Sequence, residues 1–143
     1  LARERALQSL LVTLAGRRLI ASAHDCAEGG VAVTIAEGCF EPHAVGVEID
    51  LPGAASDGGI DRLAATLFGE SASRVVVSAK PADTAAVLDA ARKAGVPARK
   101  IGTTHGSAIR IAVDGQVAIA CPLEEAENLW NTGLEKWLAS RAA

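Results

Sequence analysis

The sequence has few of the residues that mark disulfide-rich or metal-binding proteins. Its 143 residues include no Met, no Tyr, two Phe, two Trp and three Cys. The cysteines are odd in number, widely spaced (Cys26, Cys39, Cys121) and form no C-x-x-C pair, which argues against a disulfide framework and against a zinc site. We expect free thiols and a cytoplasmic location.

Long apolar runs and concentrated positive charge are also absent. No uninterrupted apolar stretch approaches the roughly 20 residues that cross a bilayer, and the charged, amphipathic N-terminus does not resemble a signal peptide. The net charge is −3, and 14 Lys and Arg are scattered among 17 Asp and Glu. Because no positive field attracts a phosphate backbone, we expect neither a membrane nor a nucleic-acid partner.

The remaining composition is typical of one folded domain. Half of the residues are apolar and 22% are charged, and a chain of this length buries roughly two-thirds of the surface that it exposes when unfolded. The chain begins with Leu1 and contains no Met. We therefore expect a single domain over residues 1–143, excised from a longer chain with which it shares its function.

Apolar spacing and turn chemistry predict an α+β fold, an α/β sandwich in which helices flank a mixed β-sheet. The predicted helices span 2–17, 28–40, about 60–68, 81–95 and 123–140. Strands are predicted at 19–24 (buried), 44–51, 74–80, 98–104, 108–113 and 116–120, with a loop at 52–59. Asp114-Gly115 predicts a type I′ hairpin turn. Trp130 and Trp137, one heptad apart, are expected to anchor the last helix to the sheet.

Residues 24–30, HDCAEGG, carry polar groups where a strand is expected to pass into a helix. Asp25 and Glu28 have the spacing of a capping box, which would account for both acids. Gly29 and Gly30 each cost roughly 1 kcal/mol of helix propensity relative to Ala. Two explanations remain open: bare N–H groups that admit an anion such as phosphate, or close packing of the turn against a neighbouring strand.

The histidines form no visible constellation. His43 and His105 are isolated in the sequence, and His24 is interpreted as a strand-end residue bonded to backbone rather than as a base or a ligand. The stretch 101–111, IGTTHGSAIRI, is interpreted as a strand and its turn.

Residues 67–74, LFGESASR, form a second candidate site at the entry to a predicted strand. Glu70, Ser71 and Arg74 are residue types that hold Mg²⁺ and phosphate or bond a polar substrate. Solvated turn residues with an ion pair between Arg74 and Glu70 are the alternative.

Together, SAHDCAEGGVAVTIAEGCF (22–40) and LFGESASRVVVS (67–78) resemble the C-terminal part of the phosphoribosylformylglycinamidine synthase family, the large synthetase subunits of purine synthesis. This resemblance implies an AIR synthase C-terminal domain-like fold, of the kind that follows an N-terminal ATP-binding domain in this superfamily. Such synthases carry the domain pair twice, and the sequence is more similar to the second copy.

The resemblance also implies a function. The complete enzyme would be an ATP- and Mg²⁺-dependent ligase that converts formylglycinamide ribonucleotide and glutamine-derived ammonia to the amidine. Its partners would be the N-terminal domain of the same chain and a glutaminase component, and the isolated domain would be inactive. A non-catalytic scaffold or assembly module, or the equivalent domain of another superfamily member, is the alternative.

Site residues follow from the matching motifs. Asp25, Gly29 and Gly30 match HD-x-x-(D/E)-GG, and Glu70, Ser71 and Arg74 match GES-x-x-R. These six are the phosphate- or nucleotide-binding candidates, with Asp25 also a candidate metal ligand and no catalytic residue in the domain. Glu28 stands where relatives often have Asp; it preserves the charge, but its longer side chain disfavours direct metal coordination.

Overall fold

The computed structural model describes residues 1–40, 42, 44–55 and 61–141. Its elements are α1 (Ala2–Gly16), β1 (Ser22–Asp25), α2 (Gly30–Cys39), β2 (Val47–Leu51), α3 (Arg62–Phe68), β3 (Val75–Ser78), α4 (Thr84–Lys93), β4 (Gly102–Thr104), β5 (Ala108–Val113), β6 (Gln116–Pro122) and α5 (Leu123–Arg141). A 3-10 turn, Pro81–Asp83, precedes α4. The predicted mixed α/β class with a mixed sheet is confirmed.

The chain divides into two compact units. The first comprises Leu1–Thr34 and Phe68–Lys100, and the second Ile35–Leu67 and Ile101–Ala143. That residues 1–143 act as one excised domain stays a prediction. In the part of the chain that the structure describes, no helix combines the length and apolarity needed to cross a membrane. His43, Ile60 and part of the predicted loop 52–59 lie outside the described residues.

In the first unit, α1 and α4 share an apolar core. Helical spacing places the leucines of α1 on one stripe, and the core consists of Leu10, Leu14, Val87 and Ala91. Leu14 and Ala91 are almost completely buried. Pro81 stands at the start of the 3-10 turn before α4, and Gly95, at φ +67°, ends the helical region, as the sequence predicted.

The strands of the first unit form a two-stranded antiparallel ladder. Ser22 pairs with Ser78 and Asp25 with Val75, so the end of β1 lies beside the start of β3. The prediction of a buried strand over 19–24 was wrong, because the strand starts at Ser22 and all four of its residues are exposed. Leu19 and Ile20, the apolar part of the run, pack instead against the core between α1 and α4.

In the second unit, four strands form a mixed sheet in the order β4-β2-β5-β6. β2 and β5 are parallel, whereas the β2–β4 and β5–β6 pairs are antiparallel. Alternate side chains are buried, as period-2 patterning requires, and they are Val47, Ile49, Leu51, Ile109, Ile111 and Val113.

The hairpin between β5 and β6 is confirmed at the predicted residues. Asp114 and Gly115 have φ of 51° and 77°, the left-handed values of a type I′ turn. The Asp114 carboxylate also accepts the Gly53 amide at 3.0 Å and pairs with Arg62 at 2.8 Å. This side chain therefore ties the turn to the residues that follow β2.

The tryptophans of α5 do not anchor it to the sheet, so that expectation was wrong. Trp130 is 55% exposed and Trp137 is 51% exposed, and burial within the described helix is confined to Leu123. Trp130 lies 6.2 Å from Phe40 between ring centroids, and Trp137 lies beneath the Arg141 guanidinium at 4.3 Å. The heptad spacing therefore marks an apolar stripe on the helix surface.

Candidate functional site

The glycine pair forms a left-handed turn between β1 and α2. Gly29 and Gly30 have φ of 73° and 68°, which side-chain-bearing L residues rarely adopt. A Cβ at Gly29 would also lie 2.6 Å from Cγ2 of Val33, one turn into α2. Backbone conformation and a close contact therefore both require glycine, although the contact is with the following helix rather than with a neighbouring strand.

This turn replaces the predicted capping box, which was wrong. Asp25 is the last residue of β1, and α2 begins five residues later at Gly30, because the left-handed glycines delay the helical conformation. Thr34 is only 2% exposed, and its hydroxyl lies 3.2 Å from the Asp25 carbonyl and 2.9 Å from the Gly30 carbonyl. This threonine, which the sequence analysis missed, ties the strand end to the first turn of the helix.

The two predicted motifs meet in the structure. The backbone N–H of Gly29 donates to Oε1 of Glu70 at 3.2 Å, although the residues are 41 positions apart. The antiparallel β1–β3 ladder explains this meeting, and the Cys26 amide extends the ladder by donating to the Arg74 carbonyl at 2.9 Å. A carboxylate of the chain itself is thus the anion that faces the Gly29 amide.

The other motif residues differ in how accessible they are. Asp25, Glu70 and Ser71 are exposed, Gly29 is half-buried and Gly30 is buried. Gly30 is buried and has positive φ, so the structure supports a role for it in the shape of the turn rather than in contact with a guest.

Arg74 folds back over its own loop. Its Nη2 donates to the Gly69 carbonyl at 2.9 Å, and its Nε is buried with no hydrogen-bond partner among the described residues. The alternative interpretation predicts an ion pair between Arg74 and Glu70, whereas in the described structure Arg74 contacts Gly69 and Glu70 contacts Gly29. A buried donor on a cation that lacks an acceptor costs free energy of folding. The Arg74 guanidinium therefore has an N–H group that can still form a hydrogen bond.

A second contact holds the loop from α1. Ser73 has φ of 61°, and its hydroxyl donates a hydrogen bond to the Glu4 carboxylate. Nε2 of Gln8 donates to the other Glu4 oxygen at 3.0 Å. These bonds, from Ser73 first and then from Gln8, lower the pKa of Glu4. Nothing local in the sequence signalled this contact, since 69 positions separate its two residues.

The histidines and cysteines contribute little to this site. Nδ1 of His24 lies 3.0 Å from the Asp25 carbonyl, which agrees with the expected strand-end histidine bonded to backbone. Nε2 of His105 lies 3.4 Å from Glu48. All three cysteines are free, and burial raises the pKa of Cys39 and of Cys121, which favours the protonated thiol.

Metal-ligating side chains are not clustered in the part of the chain that the structure describes. No group of three or more His, Cys, Asp or Glu residues there lies close enough together to hold an ion. An all-protein metal cage is therefore not formed by these residues.

The chain is similar to known proteins over most of its length. Residues 1–114 match the family described as AIR synthase related protein, C-terminal domain. The phosphoribosylformylglycinamidine synthase subunit PurL of Chlorobaculum tepidum is 36% identical over 94% of the chain, and that of Moorella thermoacetica is 37% identical over 97%. The chain covers 18% of each of these relatives, so it spans about a fifth of their length.

Solved structures show the same fold. T. maritima PurL complexed with FGAR has a TM-score of 0.74 and 18% identity, with 86% of this chain and 20% of that chain covered. T. maritima PurL complexed with ATP has a TM-score of 0.72 and 18% identity, with 85% of this chain and 21% of that chain covered.

Proposed function

This chain belongs to the AIR synthase related C-terminal domain family, and we propose that it is this domain, in its second copy, of a phosphoribosylformylglycinamidine synthase. The complete enzyme would convert formylglycinamide ribonucleotide and glutamine-derived ammonia to formylglycinamidine ribonucleotide in the cytoplasm, using ATP. Relatives named as PurL over nearly the whole chain support this assignment. The structural observation that carries it is the bond between the Gly29 amide and Glu70, which joins the two motifs.

Within that enzyme, the joined motifs provide a surface for a phosphate or nucleotide. The groups that would contact the guest are the Gly29 N–H, the exposed Ser71 hydroxyl and the half-buried Arg74 guanidinium. Gly30 shapes the turn. Because the Glu70 carboxylate occupies the Gly29 amide, a negatively charged guest must displace it, and binding therefore depends on movement of Glu70.

ATP and Mg²⁺ belong to the complete enzyme in this proposal. Magnesium is commonly held by one or two carboxylates together with substrate phosphates, so the exposed Asp25 side chain suits a single ligand position. The described residues supply no larger donor set. When bound, the ion would neutralise phosphate charge.

The chain itself contributes positioning rather than bond-making. Activation of an amide oxygen by phosphoryl transfer relies mainly on orientation and electrostatic stabilisation. The N-terminal ATP-binding domain and a glutaminase component would supply nucleotide and ammonia, and no residue of this chain is assigned a catalytic role. We therefore expect no ATP-dependent turnover from residues 1–143 alone.

A domain exchange tests this function. The matching segment of the Chlorobaculum tepidum PurL is replaced by this chain, and ATP-dependent formation of the amidine from formylglycinamide ribonucleotide and ammonia is measured. We expect turnover from the chimera and none from the isolated chain. Turnover by the isolated chain, or a folded chimera that is inactive beside an active parent enzyme, would overturn the proposal.

A binding measurement tests the site. The melting temperature of the isolated chain is recorded with ADP and Mg²⁺ for the native sequence, Gly30→Val, Arg74→Gln and, as a charge-matched control, Arg99→Gln in the same unit. Ligand that binds only the folded state raises the melting temperature. We expect a rise for the native chain and for Arg99→Gln that Gly30→Val and Arg74→Gln abolish. An equal rise in melting temperature for the native chain and all three variants would contradict the assignment of the binding site.

A second candidate function is a non-catalytic assembly module that packs against the rest of a longer synthase or of another superfamily member. It is favoured by five large apolar residues of α5 that are each at least half exposed, which are Leu129, Trp130, Leu134, Trp137 and Leu138. Leu134→Ser should then lower the turnover of the chimera and leave the stability of the isolated chain unchanged. Self-association of the isolated chain, measured by sedimentation, would instead assign this stripe to a second copy.

A further inference from the structure

The turn that precedes β3 holds a serine in an unfavourable backbone conformation. Ser73, at φ of 61°, adopts the left-handed region that residues with a Cβ normally avoid. It lies inside the GES-x-x-R motif, between Glu70, which accepts the Gly29 amide, and Arg74, whose carbonyl accepts the Cys26 amide. A change at Ser73 would therefore alter both connections between the loop and the β1–α2 turn.

The side chain of Glu4 compensates for this conformation. Its carboxylate, in the first turn of α1, accepts the Ser73 hydroxyl, and Gln8 one turn later donates to the other oxygen and orients the group. Hydrogen bonds to an ionised acceptor are stronger than neutral ones. An acid at a helix start also interacts well with the helix dipole, but that interaction needs no contact with Ser73.

We propose that Glu4 is a positioning residue that sets the conformation of the GES-x-x-R loop through Ser73, and thereby the meeting of Glu70 with the Gly29 amide. Its relevance to catalysis rests on the function proposed above, whereas its effect on the loop does not. Neither motif includes Glu4. The residue proposed to set the geometry of the site thus lies in α1, outside both motifs.

Amide hydrogen exchange at Gly29 tests the positioning directly in the 143-residue chain. Glu4→Ala removes the acceptor, Glu4→Gln keeps an oxygen in the same place, and Arg3→Ala is the control in the same helical turn. We expect exchange at Gly29 to accelerate about tenfold in Glu4→Ala and to stay within about threefold of the native rate in the other two. Equal exchange in Glu4→Ala and the native chain would overturn the proposal.

Two serine variants give an independent measurement if Glu4→Ala does not fold. Ser73→Ala removes the donor and keeps the conformational strain, whereas Ser73→Gly removes both the donor and the strain. We expect faster exchange at Gly29 in Ser73→Ala than in Ser73→Gly, with a global melting temperature close to native in both. Native exchange rates in both variants would contradict the role of this contact.

The PurL chimera separates this inference from the proposed function. There we expect Glu4→Ala to raise the KM for ATP or for formylglycinamide ribonucleotide several-fold, with recovery in Glu4→Gln. The reason is that the loop carrying Ser71 and Arg74 loses its fixed position, which outweighs the easier displacement of Glu70 from the Gly29 amide. A native-sequence chimera without turnover refutes the proposed function and leaves the exchange result intact. An active chimera whose KM values do not respond to Glu4→Ala refutes the link between this residue and the site.

Discussion

The two β-structures of this chain contain similar apolar residues but place them very differently. In the four-stranded sheet, β2 and β5 bury alternate side chains, and Ile111 is 1% exposed. In the β1–β3 ladder, every residue of β1 is exposed and those of β3, including three consecutive valines, are only partly buried. The sheet therefore provides a core, whereas the ladder brings two polar motifs together.

The same contrast applies to the glycines of the two regions. At Gly102 in β4, an added Cβ would lie 2.0 Å from the Glu48 carbonyl oxygen, a backbone atom of the paired strand. At Gly29 the nearest atom is a side-chain methyl group of Val33, and the backbone has positive φ. Glycine at position 102 allows two strands to pair closely, whereas glycine at position 29 allows the backbone conformation that directs its N–H group.

The largest expected effect comes from truncating the sheet core. Ile111→Ala should lower the free energy of unfolding by about 2–5 kcal/mol, because it leaves a cavity that the neighbours fill only in part. Val76→Ala in the ladder, where the side chain is half-buried, should cost about 1 kcal/mol. Urea unfolding of both variants measures the difference, and equal losses would show that the ladder is part of the core.

Gly102→Ala is expected to have the next largest effect. The new methyl group cannot avoid a backbone oxygen without separating β4 from β2, so we expect a loss of about 1–3 kcal/mol. Gly133→Ala in α5 meets nothing within 4 Å and should stabilise the chain by up to about 1 kcal/mol. If Gly102→Ala left the free energy of unfolding unchanged, the β2–β4 pairing would be able to adjust to the new methyl group.

Trp137→Ala should have a smaller effect than its size suggests. A buried tryptophan typically contributes 3–5 kcal/mol by truncation, but this one is about half exposed, so we expect a loss of about 1 kcal/mol or less. Denaturant unfolding followed by circular dichroism measures it. A loss of about 3–5 kcal/mol, as for a buried tryptophan, would show that α5 is anchored through its aromatic side chains.

The smallest expected effect is an acid response of the loop around Ser73. Hydrogen bonds from Ser73 and Gln8, with the N-terminal amine nearby, hold the Glu4 pKa below its ordinary value of 4.5. Its stabilising effect is therefore complete above pH 4.5 and is lost as pH falls through the lowered value. An NMR titration of the Ser73 amide should follow this loss in the native chain and not in Glu4→Gln.

Asp89 is the control for that titration. Its pKa is also lowered, by Lys93 and then Arg92, below an ordinary value of 3.8, so this carboxylate too is protonated only in acid. If Asp89→Asn abolished the response at Ser73 as Glu4→Gln is expected to do, the assignment to Glu4 would be wrong.

The features that the sequence predicted are those whose cause is local. Alternation identified β2, and Asp114-Gly115 identified the hairpin between β5 and β6, because the residues that decide each feature are adjacent. The two motifs were also found by their residues alone. That Gly29 and Glu70 bond to each other became visible only with strand pairing, which a linear pattern does not contain.

The predictions that were wrong concern features that depend on contacts between distant residues or on backbone conformation. Leu19 and Ile20 predicted a buried strand but contribute to a core between helices. The spacing of Asp25 and Glu28 fits a capping box only where right-handed helix begins at once, and positive φ at Gly29 delays it. Trp130 and Trp137 have the spacing of a packed helix face, yet nothing in that spacing specifies what covers it.

The methyl group of Val33 beneath Gly29 constrains how the protein can vary over evolution. A lineage that replaced Gly29 would need a residue that tolerates positive φ, such as Asn or Asp, and at the same time a smaller residue at position 33. Either change alone leaves a collision or a void, so the two positions should covary. The residue types at positions 29 and 33 of a homologue should therefore show whether it keeps the left-handed turn that precedes α2.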